Sequence, residues 1–166
     1  MQPGAIYEEK ILSKGISIVL ISIAGLMLFL TVYQGLVKPL GSEPAPNWFY
    51  MILFLLFSGL AFVFGRLTIR MTPSSISVGY GPLGQSISWD NIEDCFLDET
   101  STARYGGAGV RVTRIDSNWR IIYNVIESPR VGLSLKEGRF KEVVFSTRHP
   151  DDVMKTIREW ASIRSE

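Results

Sequence analysis

The sequence predicts an α+β membrane protein, in which an N-terminal hairpin of two transmembrane helices carries an antiparallel β-rich partial barrel capped by a C-terminal helix. Three observations predict it. Residues 15–37 and 44–65 contain no Asp, Glu, Lys or Arg. From Arg66 onward, continuous apolar runs give way to alternation of apolar and polar residues, the mark of strands with one buried face. The chain then closes on apolar residues at helical spacing, Val153, Ile157, Trp160 and Ala161.

Residues 1–14 form a lead-in that mixes Glu8, Glu9 and Lys10 with Ile6, Ile11 and Leu12, and reads either as a short interfacial helix or as a disordered segment. Residues 15–37 follow as the first span. About 20 mostly apolar residues cross roughly 30 Å of hydrocarbon, and each Leu, Ile, Phe or Val near the centre favours insertion by about 0.3–0.6 kcal/mol. That sum outweighs the few hydroxyls and Gln34. A secretory signal is the alternative for this segment, but its apolar run exceeds the usual length and no A-x-A-like site follows. Residues 38–47 hold three prolines, which end helices and make a turn, so the spans pack antiparallel through an external loop. The second span, residues 48–65, opens with Trp48 and Tyr50 where an interfacial belt would sit. Ala61 and Gly65 are small enough to let helices approach. Two helices apolar all round are too much surface for so small a soluble core to bury.

Orientation follows from flanking cations. Lys10 and Lys14 precede the first span and Arg66 and Arg70 follow the second, whereas the loop carries only Lys38 beside Glu43. Cytoplasmic loops are the cation-rich ones, which puts both termini in the cytoplasm of a multi-pass protein of the plasma membrane.

The remaining residues, 66–166, are read as one cytoplasmic domain. Leu67, Ile69 and Met71 alternate with polar neighbours, and after Pro73-Ser74-Ser75 a second strand runs over Ile76–Tyr80. Gln85–Trp89 and Cys95–Leu97 give two short strands around a polar link, Asp90–Asp94. Val110–Ile115 and Trp119–Val125 flank Asp116-Ser117-Asn118 as a hairpin. Val131–Leu135 and Phe140–Phe145 bring the total to seven or eight antiparallel strands. Pro150 and the acidic pair Asp151 and Asp152 suit the first turn of the closing helix, whose Trp160 is expected to plug the open end of the sheet.

Two spans, then Leu67-Thr-Ile-Arg-Met-Thr-Pro-Ser-Ser-Ile-Ser-Val78, then Ile87-Ser-Trp-Asp-Asn-Ile92, then meandering strands and a helix, resemble the membrane-anchored bacterial and archaeal proteins with a pleckstrin-homology-like domain. The resemblance extends over nearly the whole chain. It implies a seven-stranded, helix-capped partial barrel used for binding or assembly at membranes, with no catalytic residues and no lipid specificity to carry over.

Chemistry-bearing patterns are few. Gly79-Tyr-Gly-Pro-Leu-Gly84 fits G-x-G-x-x-G, but a dinucleotide site needs that motif to open a helix, and Pro82 with a following strand indicates a turn. Tyr105-Gly-Gly-Ala-Gly109, beside Arg104 and Arg111, reads as an anion cradle or as a glycine-dependent hairpin loop. His149, the one histidine, would need Asp116 or Asp151 beside it for catalysis or metal binding, and otherwise introduces the helix. Asp90, Glu93, Asp94, Asp98 and Glu99 form an acidic run without calcium-loop spacing. Cys95, the single cysteine, forms no internal disulfide and reads as a small buried side chain. No cofactor is implied. A net charge of +1 argues against nucleic acid as a partner.

Between 104 and 148 cations outnumber acids, which singles out Arg104, Arg111, Arg114 and Arg120 as contacts for anionic lipid or a partner, against the alternative of a solvated sheet face. The function this supports is a non-enzymatic, membrane-tethered binding or scaffolding module. Its expected partners are the bilayer and a protein partner or further copies of itself. The alternative is an assembly factor or accessory subunit of a larger membrane complex. Neither span holds the ionisable residue that would mark a transport path.

Overall fold

In a computed structural model, which describes residues 5–39, 41, 44–100, 107–115 and 118–162, the chain is an α+β protein of three helices and two sheets. It divides into two compact units. Residues 14–65 form one, and residues 1–13 together with 66–166 form the other.

The smaller unit is a helical hairpin, α1 (Lys14–Leu36) and α2 (Asn47–Phe64), packed against each other. Both helices are long and apolar enough to cross a membrane. Their side chains are largely uncovered: Leu36 is 82% and Phe62 91% exposed, and among the helical residues described only Ala24 is buried. Two polar side chains in the apolar stretch donate to partners within the hairpin, while among the described residues Ser17 Oγ and Gln34 Oε1 are buried without one. Thr31 donates to the Met27 carbonyl one turn back at 2.9 Å, the usual refuge of a hydroxyl in a helix. Gln34 lies at the turn between the helices, where its Nε2 donates to Ala45 O at 2.6 Å and Asn47 Oδ1 at 2.8 Å.

The larger unit begins before the hairpin. Tyr7–Leu12, expected as helix or disorder, is instead a strand, β1, paired antiparallel with β2 (Arg66–Met71) in the register Tyr7↔Met71 to Leu12↔Arg66. Its sequence carries a two-residue period, with Glu9 and Ile11 buried and Lys10 and Leu12 exposed. The acidic residue on the buried side disguises that period. β3 (Ser75–Tyr80) and β4 (Leu83–Ser88) complete a four-stranded meander, β1-β2-β3-β4.

A 3₁₀ turn, Trp89–Asn91, leads into β5 (Ile92–Asp98) of the second sheet. The Ile87, Trp89 and Ile92 side chains are all buried at this corner, so the I-x-W-x-x-I pattern marks the passage from one sheet to the other. Trp89 Nε1 donates to Thr72 O at 2.9 Å, and Asn91 clamps the 136–138 turn through Nδ2 to Glu137 O at 3.0 Å and Oδ1 from Glu137 N at 2.9 Å. β6 (Gly109–Ile115), β7 (Asn118–Asn124), β8 (Arg130–Leu135) and β9 (Glu142–Ser146) finish the sheet in the order β5-β8-β9-β7-β6.

Of the nine described strands, eight lie after Arg66, the upper figure expected there, and with β1 they form sheets of four and five that share no strand. The order corrects one expectation: the strands are not all antiparallel, because β9 inserts between β8 and β7 and pairs parallel with β7. Pairing order depends on contacts between distant segments, and alternation along one strand carries no trace of it.

The core gathers Leu67, Ile69, Met71, Ile76, Val78 and Tyr80 from the first sheet, and Tyr123, Val131, Leu133 and Phe145 from the second. Helix α3 (Pro150–Trp160) packs on β5 and β8 through Val153 and Ile157, both fully buried. Trp160 does not plug the sheet as expected. It is 40% exposed and lies 6.3 Å from the Trp89 ring at the edge of the core, because the buried stripe of so short a helix is filled by residues four apart.

β1 is fastened from its buried side. The Glu9 carboxylate accepts from Thr147 Oγ1 at 2.6 Å, Arg148 N at 2.8 Å and Tyr7 OH at 2.9 Å. Burial and this carboxylate raise the Tyr7 pKa above the ordinary phenol value. The substitution Glu9→Ala leaves a buried hydroxyl and an amide without an acceptor, and is expected to cost about 2–3 kcal/mol, read as a lower denaturation midpoint.

Candidate functional site

Two surfaces of the larger unit concentrate polar groups. The first is the outer face of the four-stranded sheet. Register brings Thr68, Gly79 and Gly84 into one row and Arg70, Ser77 and Ser86 into the next. These residues, with Gln85, Gly81 and Pro82, line an open groove of about 400 Å³. The Gly79–Gly84 pair makes its floor. A Cβ on Gly79 would fall 2.1 Å from the Gly84 Cα, so neither strand could hold its position. Gly81, with φ of +51°, occupies the first place of a two-residue hairpin turn, where a glycine is needed. Thus G-x-G-x-x-G here is a β-hairpin, as its proline indicated, and its glycines answer to strand packing. The walls carry a hydroxyl ladder: Ser77 Oγ donates to Ser86 Oγ at 3.0 Å, and Ser86 Oγ donates to Ser75 Oγ at 3.2 Å.

The second surface belongs to β6 and β7. Thr113 pairs with Arg120 and Arg111 with Ile122, so Arg111 and Arg120 share a face of the second sheet. Arg114 pairs with Trp119 and points to the opposite face, its guanidinium 6.0 Å from the indole centroid. Arg120 is bound to Glu142 in a salt bridge from β7 to β9. Arg111 and Arg114 are exposed, and Arg120 is partly covered. Arg104 lies outside the described residues, as do Tyr105, Gly106 and Asp116. The three arginines that are described therefore occupy two faces of one hairpin.

The face that holds Arg120 contains a buried polar cluster that sequence reading did not single out. Arg130, 6% exposed, donates through Nε to Asp98 Oδ2 at 2.9 Å, through Nη1 to Asn124 Oδ1 at 3.3 Å and through Nη2 to the Thr100 carbonyl. Thr100 Oγ1 donates to Asp98 Oδ1 at 2.7 Å, and Asn124 Nδ2 to Gly107 O at 2.8 Å. Tyr80 OH, from the other sheet, donates to Asn124 O at 2.8 Å. Thr100 and Gly107 stand near the two ends of the connection from β5 to β6, which are opposite edges of the sheet. The cluster therefore ties both ends of that connection to one face. The only advance signal was an Asp and an Arg at strand ends, too common to be informative.

Of the acidic run, Asp98 is internal to this cluster, while Asp90, Glu93, Asp94 and Glu99 are exposed. Among the described residues no group of three or more His, Cys, Asp or Glu side chains could hold a metal ion. His149 is exposed at the start of α3, where its carbonyl accepts from Val153 N at 3.0 Å. Cys95 is buried, and burial pushes its thiol up to about 12. Burial likewise raises Tyr80 and Tyr123. The chain matches no protein-family model, and no curated protein and no solved structure matches it at a significant level.

Three outcomes are expected. Gly79→Ala forces the β3–β4 backbones apart and lowers the melting temperature by several degrees, measured by circular dichroism. Cys95, Tyr80 and Tyr123 have raised folded-state values, so the stability they contribute is full below the ordinary values of 9.0 for the thiol and 10.0 for the phenols, and is lost as pH climbs through the folded ones. The unfolding free energy is accordingly expected to fall steadily above pH 9, and a thiol reagent at pH 8 to label Cys95 only in denaturant.

Proposed function

We propose that the chain is a non-enzymatic, membrane-tethered binding or scaffolding module, with the α1–α2 hairpin crossing the plasma membrane and both termini in the cytoplasm. The observation that carries this reading is the pair of apolar, largely uncovered helices joined directly to a folded unit that has its own buried core. Exposed apolar area on this scale is costly in water and favourable in hydrocarbon.

The β1–β2 pairing supports the topology independently of charge counting. A strand from before α1 and a strand from after α2 can form one ladder only if both flanks lie on the same side, which requires an even number of crossings. The cations Lys10, Lys14, Arg66 and Arg70 on those flanks make that side the cytoplasm. The pleckstrin-homology-like identity belongs to this reading too: a sheet pair with one C-terminal helix is in keeping with it, while nine strands, one pairing parallel, depart from the seven-stranded plan.

In this reading the larger unit presents its sheet edges, the groove over Gly79 and Gly84, and Arg111, Arg114 and Arg120 to partners held in the same bilayer. Each cation near anionic headgroups contributes about 1 kcal/mol, so a lipid contact by these arginines would be modest and salt-dependent.

Removal of the hairpin is the direct test. A chain in which a two-residue turn joins Ser13 to Arg66 is expected to fold and remain in the supernatant after high-speed sedimentation, while the full chain pellets with membranes and resists alkaline extraction. Full-length protein found folded in the supernatant without detergent would refute the proposal. With the hairpin-free chain, Arg111→Ser, Arg114→Ser and Arg120→Ser together are expected to weaken sedimentation with vesicles of one-third anionic lipid at least fivefold. Unchanged sedimentation removes the lipid contact and leaves protein contacts. A stoichiometric large complex on purification in mild detergent would favour an accessory subunit instead.

A further inference from the structure

The two sheets present four edges, β1 and β4 in the first and β5 and β6 in the second. An open edge is a template for another strand, and proteins guard against it with charges, prolines or bulges. Three of the four are guarded. β1 carries Glu8, Glu9 and Lys10; β5 carries Glu93, Asp94 and Asp98 and a bulge between Ile92 and Asp94; β6 carries Arg111 and Arg114. β4, Leu83-Gly-Gln-Ser-Ile-Ser88, has no charge, no proline and no bulge.

Its outward groups are also open. Tyr80 and Leu83 close a two-residue hairpin, so Leu83, Gln85 and Ile87 turn their N–H and C=O toward β3, and Gly84, Ser86 and Ser88 turn theirs away. Gly84 and Ser86 are exposed, and among the described residues no backbone hydrogen bond reaches either from beyond β3.

We propose that β4 is a self-association edge, along which two copies of this chain pair antiparallel about a two-fold axis through Gln85. This deepens the binding-module reading and rests on it for the concentrating effect of the membrane. The register follows from chemistry. With Gln85 opposite its own copy, residues of like parity meet, so buried faces stay buried and solvent faces stay in solvent. Gly84 falls opposite Ser86 and exchanges two hydrogen bonds with it at each of two equivalent positions, for about four ladder bonds in all. Leu83, 48% exposed, falls opposite Ile87 and is covered.

No like charges meet in this pairing. β5 on β5 would set carboxylates together, and β6 on β6 would set guanidiniums together. An isologous pair closes on itself, so assembly stops at two. A single strand pairing buries less than the roughly 1,000 Å² of a stable interface, which makes it weak in dilute solution. Confinement of both copies to one bilayer raises their effective concentration enough to populate it.

Disulfide trapping tests the register in full-length protein in native membranes. Opposed residues at a non-hydrogen-bonded antiparallel position have Cβ atoms about 4.5–5.5 Å apart, close enough for a disulfide after a small adjustment. Mild oxidation of Gln85→Cys is expected to convert more than half of the chain to a covalent dimer. The wild type, whose only thiol is buried, and Ser77→Cys, on the strand behind the edge, are expected to give less than a tenth of that yield.

Ser86→Pro, combined with Gln85→Cys, removes an outward N–H that the β3 ladder does not use and is expected to reduce trapping at least tenfold. Ser86→Lys, which adds a charge to the edge, should do the same if the proline variant fails to fold. Equal yields from Gln85→Cys and Ser77→Cys, or adducts only with a different protein, would overturn the proposal while membrane sedimentation of the same samples leaves the tethering intact. If the chain does not sediment with membranes, tethering fails, and the same three variants at high concentration in solution decide the pairing.

Discussion

Pairing of β1 with β2 is the constraint from which the rest of the architecture follows. These strands stand on either side of the helical hairpin, yet their register, Leu12↔Arg66 through Tyr7↔Met71, is that of neighbours. Loop closure costs grow only slowly with the length of the intervening chain, and the hairpin shortens the effective loop by packing on itself. The folded unit is therefore discontinuous in sequence. Its first strand is held by six paired positions and by the Glu9 carboxylate, which reaches Thr147 and Arg148 at the junction of β9 and α3. One short strand thus connects the start of the chain, the far end of the unit and the two flanks of the apolar helices.

A second constraint works inside the five-stranded sheet. Its edges, β5 and β6, are consecutive in sequence yet stand on opposite sides of the sheet. Arg130, Asp98, Thr100 and Asn124 hold the two ends of the connection between them with directional bonds. A buried ion pair of this kind adds little net stability over a well-packed apolar replacement, but losing one partner strands the other at high cost. Its value here lies in fixing Thr100 and Gly107 against the sheet. Tyr80, reaching from the first sheet to Asn124, registers the two sheets against each other.

The distribution of charge gives these edges distinct characters. Acidic β5 and basic β6 repel their own copies, and β1 has its buried carboxylate already engaged, so the uncharged β4 is left as the edge that can meet itself. The same strand walls the groove over Gly79 and Gly84, where close strand packing excludes a Cβ at Gly79 and leaves a shallow polar trough. In the two-fold arrangement the troughs of both copies open on one side of a continuous sheet. The arginines of β6 and β7, divided between two faces and in part engaged by Trp119 and Glu142, do not form a single basic patch.

Local signals were strong enough to be read from the chain alone. The two apolar helices, expected over 15–37 and 48–65, form over Lys14–Leu36 and Asn47–Phe64, because length and lack of charge are properties of a segment and not of its surroundings. Most strands and the closing helix declared themselves by period, and Pro82 identified the glycine motif as a turn. Tertiary structure decided what period cannot carry. It made a strand of Tyr7–Leu12, whose inward Glu9 breaks the apolar alternation and is tolerated only because Thr147, Arg148 and Tyr7 complete its hydrogen bonds from elsewhere. It set β9 parallel to β7, moved Trp160 to the rim beside Trp89, and buried Asp98 with Arg130, 32 residues away in sequence. Each of these is a contact between segments far apart along the chain, and its energy depends on geometry that exists only after both segments have folded.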